Sequence, residues 1–364
     1  MDLGAIRENA RRLTALAAAK GLGLIGVVKA DAYGHGALRS AAAVLAGGAQ
    51  SLAVALVEEG VALRAGGITA PILVMGAYIP GTAAVYAERD LEVTVTHPQQ
   101  AESLAREAAA LGAVLRVHIK VDTGMGRLGV LPADALALAQ RIVEAGTLRL
   151  VGVYSHLATA ESRDTAYARR QLATFEQVLA RLAQHGILPA QRHILNSAGL
   201  LQHEPGTTTH ARVGLALYGL YPADWLRPRI ALQPAMRFRT RVSSVKDVPA
   251  GTYVSYGGRY CTARPTRLAT LPVGYADGVP RLLSGRLSVL IRGERFPVVG
   301  SICMDQAIVD VGDAPVEAGD DVILWGSQEG ATISPDEWAE AIGTINYEIV
   351  SAITARVPRV YVDA

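Results

Sequence analysis

The sequence predicts a (β/α)8 barrel followed by a mainly-β domain, and three observations lead there. Up to about residue 230, short β-branched runs alternate with longer segments rich in Ala, Leu, Glu and Arg. The short runs are almost continuously apolar, as strands of a parallel sheet are when helices cover it. Past that point the helical periods fade and tight turns separate short strands. We therefore expect the barrel over residues 1–231 and the β-domain over 232–364.

The elements follow in order. Strands are expected at 24–29, 51–55, 71–75, 91–95, 114–120, 148–153, 192–195 and 209–213. Helices are expected near 36–47, 57–65, 81–88, 98–110, 132–145 and 164–185. Eight strands joined in this way suit a closed barrel better than an open doubly wound sheet. In the second domain, strands are expected at 238–247, 267–273, 287–292, 296–300, 306–311 and 321–325, with a helix near 335–341 and a final strand at 357–362. Asp277-Gly278 and Arg292-Gly293 supply turn chemistry.

Composition narrows the function classes. Half of the 364 residues are apolar and only 19% charged, which excludes a disordered chain. A net charge of +2 makes no case for nucleic acid or an anionic membrane. Cys261 and Cys303 are far apart and match no metal-ligand spacing, so no metal is expected and a reducing, cytoplasmic setting is the simplest inference. Asp2, Arg7, Glu8, Arg11 and Arg12 break up any signal-peptide apolar region. The uncharged run from Ala65 to Ala87 holds Pro71, Pro80 and several glycines, and reads as strand, loop and helix start rather than a membrane span.

Lys29 stands out chemically. It closes the apolar run Leu24-Ile25-Gly26-Val27-Val28 and is followed by a turn of small residues. A lone strand-end lysine ordinarily reaches to water along its own stem. Burial instead lowers its pKa and makes the amine a nucleophile able to form Schiff bases with carbonyls. Other polar residues fall at the same ends of the predicted strands: Tyr33 after the first, Lys120 and Arg127 after the fifth, His156 after the sixth, Asn196-Ser197 after the seventh, Arg212 and Gly214 at the eighth. Barrel enzymes carry their active sites on that face, often with a phosphate held after strands seven and eight.

These residues lie in longer motifs. Val28-Lys29-Ala30-Asp31-Ala32-Tyr33-Gly34-His35-Gly36, Lys120-Val121-Asp122-Thr123-Gly124-Met125-Gly126-Arg127-Leu128-Gly129 and Tyr154-Ser155-His156 are followed by Asn196-Ser197, Arg212-Val213-Gly214 and Tyr218-Gly219. Val254-Ser255-Tyr256-Gly257, Gly274-Tyr275-Ala276-Asp277-Gly278, Cys303-Met304-Asp305-Gln306 and Arg356-Val357-Pro358-Arg359 complete the series. In this order, over nearly the whole chain, it resembles the alanine racemase family, pyridoxal 5'-phosphate enzymes built from a barrel and a β-domain.

The resemblance implies interconversion of L- and D-alanine by two bases, for peptidoglycan supply or alanine catabolism. Lys29 would hold the cofactor as a Schiff base and act on the D-face of the substrate, and Tyr256 would act on the L-face. A phenol titrates near 10, so such a base needs positive surroundings. Tyr256 would enter the barrel mouth of a partner subunit, which makes a head-to-tail homodimer part of the catalytic apparatus. Arg212 would donate to the pyridine nitrogen and, being always charged, would leave the ring neutral. Tyr33, Ser197 and the Gly214–Leu215 backbone would bind the phosphate, Asn196 would also bind the cofactor, and His156 would lie on or near the ring and hydrogen-bond to Arg212. Arg127 and the Met304 backbone would contact the substrate carboxylate, a carbamylated Lys120 would orient Arg127, and Tyr275 and Asp305 would support the entrance.

Two departures bear on these roles. Many family members carry a tyrosine before Arg-Val-Pro-Arg where this chain has Ala355, which opens a reading as a serine or broad-specificity racemase. The chain also opens at Met1-Asp2-Leu3, on the segment matching the family's first helix, so the preceding strand is expected to be shortened or to lie upstream. A different-class reading is a barrel-only pyridoxal-phosphate-binding homeostasis protein. Such proteins end after the barrel, whereas this chain continues through Tyr256 and Met304-Asp305. Related decarboxylases use a glycine-rich phosphate loop that is not found here.

Overall fold

Once a stretch of chain leaves water, its backbone N–H and C=O groups must find partners within the protein. Eight runs in this chain find them in one another: β1 (Gly23–Val27), β2 (Ser51–Val54), β3 (Ile72–Ala77), β4 (Glu92–Val95), β5 (Leu115–Lys120), β6 (Leu148–Tyr154), β7 (Gln191–His193) and β8 (His210–Val213). They form a closed parallel barrel in sequence order, with β8 returning to β1 at the Gly23–His210 pair. The fold class is thus the expected barrel followed by a separate sheet. The computed structural model describes residues 1–363 and separates into two units, one of residues 3–32, 36–233 and Asp363, the other of residues 1–2, 33–35 and 234–362.

Helices between the barrel strands arise from local signals. His97 accepts from the Gln99 N–H with Pro98 at the first helical position, and so starts Pro98–Ala110. The helix Ala135–Glu144 buries Leu136, Leu138, Ala139 and Ile142 along one stripe, each such large side chain contributing about 1.5–3 kcal/mol. The helix Leu3–Ala19 precedes β1, with Ile6 and Leu13 fully buried.

Inside the barrel the packing departs from the usual layers of branched apolar side chains. Glu92, Thr94, His118, His193 and Arg212 are all buried. Thr94 on β4 hydrogen-bonds Tyr154 on β6 at 2.9 Å, and the Arg212 guanidinium on β8 lies 5.1 Å from the centre of the Tyr154 ring. Contacts between non-neighbouring strands run through the barrel interior, so this polar set fills its centre.

The second unit is an antiparallel sheet. Its strands are β9 (Phe238–Arg241), β10 (Ser244–Val248), β11 (Tyr253–Val254), β12 (Tyr260–Cys261), β13 (Thr266–Leu271), β14 (Ser288–Ile291), β15 (Glu294–Val299), β16 (Ala307–Gly312), β17 (Asp321–Gln328) and β18 (Ala331–Ile333). The main sheet runs β10-β13-β16-β15-β14-β17-β18, with β9 also on β17 and β11 paired with β12 alone. Arg292 and Gly293 both take positive φ (53° and 76°) and form the two-residue turn between β14 and β15. Trp325 packs edge-on against Trp338 at 4.8 Å and Phe238 at 5.0 Å. Ser334 and Glu337 cap the helix Pro335–Ile342 reciprocally.

Two expectations change. The run 238–247 is two strands, because Val242 and Ser243 leave β9 and bond instead to the Asp320 and Thr270 carbonyls. The segment 357–362 is not a strand: Val362 makes a single bridge to Asp2. Its upstream carbonyls are taken by a side chain, since Arg359 donates to the carbonyls of Ile353 (2.7 Å), Val357 (2.8 Å) and Thr354. No helix among the described residues is long and apolar enough to cross a membrane.

Candidate active site

At the C-terminal end of β1 the chain does something its residue types do not favour. The strand stops at Val27, two residues short of Lys29, and Ala30, Asp31, Ala32 and Tyr33 all take left-handed backbone angles, with φ between 52° and 55°. Each such non-glycine residue costs about 1–2 kcal/mol, a kind of strain that concentrates at functional sites. Hydrogen bonds hold the turn. Glu59 accepts from the Ala30 N–H at 2.5 Å, and Asp31 accepts from the Ala37 N–H at 2.7 Å. The same Glu59 carboxylate also accepts from the N–H groups of Ala55 and Leu56 after β2.

Lys29 is thereby half-buried at the barrel mouth. Burial, followed by the charges of Arg127 and Arg212, lowers its pKa, with Glu59 opposing. Lys120, at the end of β5, is buried and pushed down to about 8 by desolvation, Arg212 and Arg127. Its ammonium lies 5.4 Å from the Tyr154 ring centre. Beyond it the loop winds around Asp122, whose Oδ1 accepts from the N–H groups of Gly124, Met125 and Gly126 at 2.9, 2.8 and 3.1 Å. This loop presents Arg127 to solvent.

Arg212 is 4% exposed and donates three ways, to His193 Nδ1 at 2.8 Å, His156 Nδ1 at 2.9 Å and the Ser155 carbonyl at 3.0 Å. Burial and then Arg212 press His156 down to about 2, so it stays a neutral acceptor. After β7, Asn196 caps a short helix through the Gly199 N–H at 2.8 Å. Ser197 Oγ accepts from the N–H of Gly214 at 3.1 Å and of Ala216 at 3.5 Å, with Leu215 buried between them. A nucleophilic amine, a hydroxyl among backbone amides and a buried guanidinium match the aldehyde, phosphate and ring nitrogen of pyridoxal 5'-phosphate.

The barrel unit therefore brings together Lys29, Lys120, Arg127, His156, Asn196, Ser197, Arg212, Gly214 and Leu215, and does not include the rest. Tyr33, Tyr256, Tyr275, Met304 and Asp305 belong to the second unit. Tyr33 sits 6.1 Å, ring centre to ring centre, from Tyr347 there. Tyr256, Tyr275, Met304 and Asp305 line one open cleft of about 770 Å³, together with Tyr253 and Ser255. Tyr256 is 74% exposed and Met304 53%. The backbone aims Tyr256: Ser255 takes a φ of 63°, its hydroxyl donates to the Ser301 carbonyl at 2.6 Å, and Ser301 donates back to the Tyr256 carbonyl at 2.9 Å. Tyr275 and Ala276 donate to the carbonyls of Cys303 and Met304, both at 3.0 Å. Arg356 pairs with Asp305 at 2.8 Å and Asp277 at 3.4 Å.

Sequence reasoning missed Glu59, His118 and His193, and the supporting part played by Asp122. A signal existed for the histidines: ionisable residues recurring at inward positions of otherwise apolar barrel strands.

A closed parallel barrel that offers an amine, an anion cradle and a buried arginine at one mouth, followed by an antiparallel domain, defines a class of pyridoxal-phosphate enzyme. Residues 1–222 match the family model for the alanine racemase N-terminal domain, and residues 235–361 that for its C-terminal domain. The alanine racemase of Symbiobacterium thermophilum is 47% identical over 99% of this chain and 96% of its own length, and that of Desulfovibrio desulfuricans 43% identical over 100% and 97%. Among solved structures, the alanine racemase of the D-cycloserine producer Streptomyces lavendulae superposes with a TM-score of 0.95 at 40% identity, covering 100% of this chain and 96% of that one. The Bacillus anthracis alanine racemase with bound L-Ala-P reaches 0.93 at 38% identity, covering 99% and 93%. The chain belongs to the alanine racemase family, and its cofactor is pyridoxal 5'-phosphate.

Proposed function

We propose that this protein interconverts L- and D-alanine, with two bases on opposite faces of the substrate. The observation that carries the reading is the desolvated Lys29 amine, held by a strained turn at the same barrel mouth as Arg212 and Ser197. When bound, the cofactor supplies an electron sink that acidifies the substrate α-proton. Lys29 Nζ holds it and carries the proton on the D-face. The Tyr256 phenol carries the proton on the L-face. Arg212 faces the ring nitrogen, and its permanent charge disfavours a proton there. Ser197 Oγ, with the amides of Gly214 and Leu215, binds the phosphate, and Tyr33 and Asn196 complete that side. His156, kept neutral, steadies Arg212. Arg127 and the Met304 backbone receive the substrate carboxylate, and Tyr275 and Asp305 shape the entrance. At a pKa of about 8, Lys120 has a sizeable neutral fraction near pH 8, the form that adds carbon dioxide to give a carbamate able to orient Arg127.

Tyr256 and Met304 reach this chemistry from a second copy of the chain in a head-to-tail homodimer. The exposure of Tyr253, Tyr256 and Met304 around one cleft supports this, because such a surface ordinarily has a partner. Two free cysteines fit a cytoplasmic setting, where the product serves peptidoglycan or the enzyme works in alanine catabolism. The C-terminal family match speaks against a barrel-only homeostasis protein.

A chiral assay with pyridoxal phosphate, offered L-alanine and L-serine in parallel, tests the reading. Approach to racemic alanine, with serine much slower, is expected. Equal serine turnover would favour the broader racemase that Ala355 suggests, and turnover of neither would refute racemisation of either amino acid.

A further inference from the structure

Arg212 can only donate hydrogen bonds, so each histidine it touches must offer a bare nitrogen. His193 accepts at Nδ1, which puts its single hydrogen on Nε2. That Nε2 is buried and has no partner. On β5, His118 Nε2 lies 2.9 Å from Glu92 Oε2, and its Nδ1 is likewise buried without a partner. The two imidazoles are neighbours, with ring centres 5.6 Å apart and planes at 64°. One orphan carries a hydrogen. The other carries a lone pair if His118 is neutral.

We propose that Glu92, His118 and His193 form a one-way hydrogen-bond relay through the barrel centre that positions Arg212. Its sense is uniform: Arg212 donates to His193, His193 to His118 through one buried water that meets both orphan nitrogens, and His118 to the Glu92 carboxylate. Arg116 closes the far end, at 3.2 Å from Glu92 Oε1 and 2.8 Å from Asp90. The inference rests on the proposed contact between Arg212 and the cofactor ring.

Three further observations support it. Arg116 meets Glu92 Oε1 at 3.2 Å, a permanent positive partner that keeps the carboxylate an acceptor whatever the charge of His118. Burial and Arg212 press His193 well below its usual value, which keeps it neutral. Gly152 on β6, paired with His118 across the sheet, makes room for the ring: a Cβ there would lie 2.1 Å from His118 Nδ1. Gly152 does not take a positive φ, so space rather than backbone conformation is what calls for glycine there.

Aligned donors polarise one another, and the anionic end makes the last acceptor, His193 Nδ1, more basic. The relay thus tightens the hold on a guanidinium that would otherwise share its bonds with water. A buried donor and acceptor left apart would instead each carry a desolvation penalty.

The test reads imidazole protonation by ¹⁵N NMR of histidine-labelled holoenzyme. The wild type should show both His118 and His193 neutral with hydrogen on Nε2. An imidazolium at His118, or hydrogen on His193 Nδ1, overturns the relay without any variant being needed. Glu92→Gln removes the charge but keeps an acceptor. It should leave the circular dichroism of the fold intact, move the ¹⁵N shift of His193 Nδ1 while Arg212 keeps that nitrogen bare, shift the absorption band of the bound cofactor and weaken cofactor retention about tenfold, the worth of roughly one charge-assisted hydrogen bond. An unmoved His193 Nδ1 shift in a folded Glu92→Gln protein also overturns it. A moved His193 shift with an unmoved absorption band upholds the relay and removes Arg212 from the ring nitrogen.

Discussion

The barrel mouth and the cleft of the second unit prepare their candidate residues in opposite ways. At the mouth, Arg212 is 4% exposed and Lys120 7%, and burial with crowded positive charge has already lowered the pKa values of Lys29, Lys120 and His156. In the cleft, Tyr256 is 74% exposed and is aimed by the strained Ser255 backbone and the paired serine hydroxyls. The first region is set electrically within one chain. The second is set sterically and stands open to solvent, so the two need different experiments to break them.

The largest effect is expected in the barrel. Lys29→Ala should abolish the absorption band of lysine-bound cofactor and lower racemisation by about 10⁴-fold or more, the upper end for a positioned acid–base group. A retained band would take Lys29 out of that role. Next, Tyr256→Phe should reduce proton abstraction from L-alanine by about 10²–10⁴-fold with cofactor still bound. Full activity in both directions would refute the two-base assignment.

A subtler difference lies in pH dependence. The folded Lys120 titrates at about 8, below its ordinary value, so between these two pKa values the unfolded chain binds the extra proton. Stability attributable to this group is therefore low below about pH 8 and rises toward the ordinary lysine value. In carbon-dioxide-free buffer, thermal unfolding of the wild type should gain on that of Lys120→Met as pH falls from 10 to 8 only if this sign is wrong. The smallest effect belongs to the β-domain: Ser334→Ala removes a helix cap and should cost about 1 kcal/mol in denaturant unfolding, with racemisation unchanged.

The same contrast explains what could be read in advance. Barrel strands such as Leu52-Ala53-Val54 announce themselves because both faces are buried and the run is uniformly apolar. The run 357–362 looked equally strand-like, yet Arg359 satisfies the neighbouring carbonyls, and no local pattern reveals a distant guanidinium's choice. In Ala30-Asp31-Ala32-Tyr33 only Asp31 has any preference for left-handed backbone, so a turn of four such residues placing Lys29 was not legible. The candidate residues were legible through their motifs. Glu92 and His118 were not, because each sits singly in a strand and acquires meaning only when the barrel closes.

The central claim is that each working site takes Lys29 from one chain and Tyr256 from another. Inactive Lys29→Ala and Tyr256→Phe proteins, unfolded together and refolded as a mixture, test it most directly. Shared sites predict that activity returns to about a quarter of wild type, since half the dimers are mixed and each of those holds one intact site. A mixture as inactive as its two components would contradict the account.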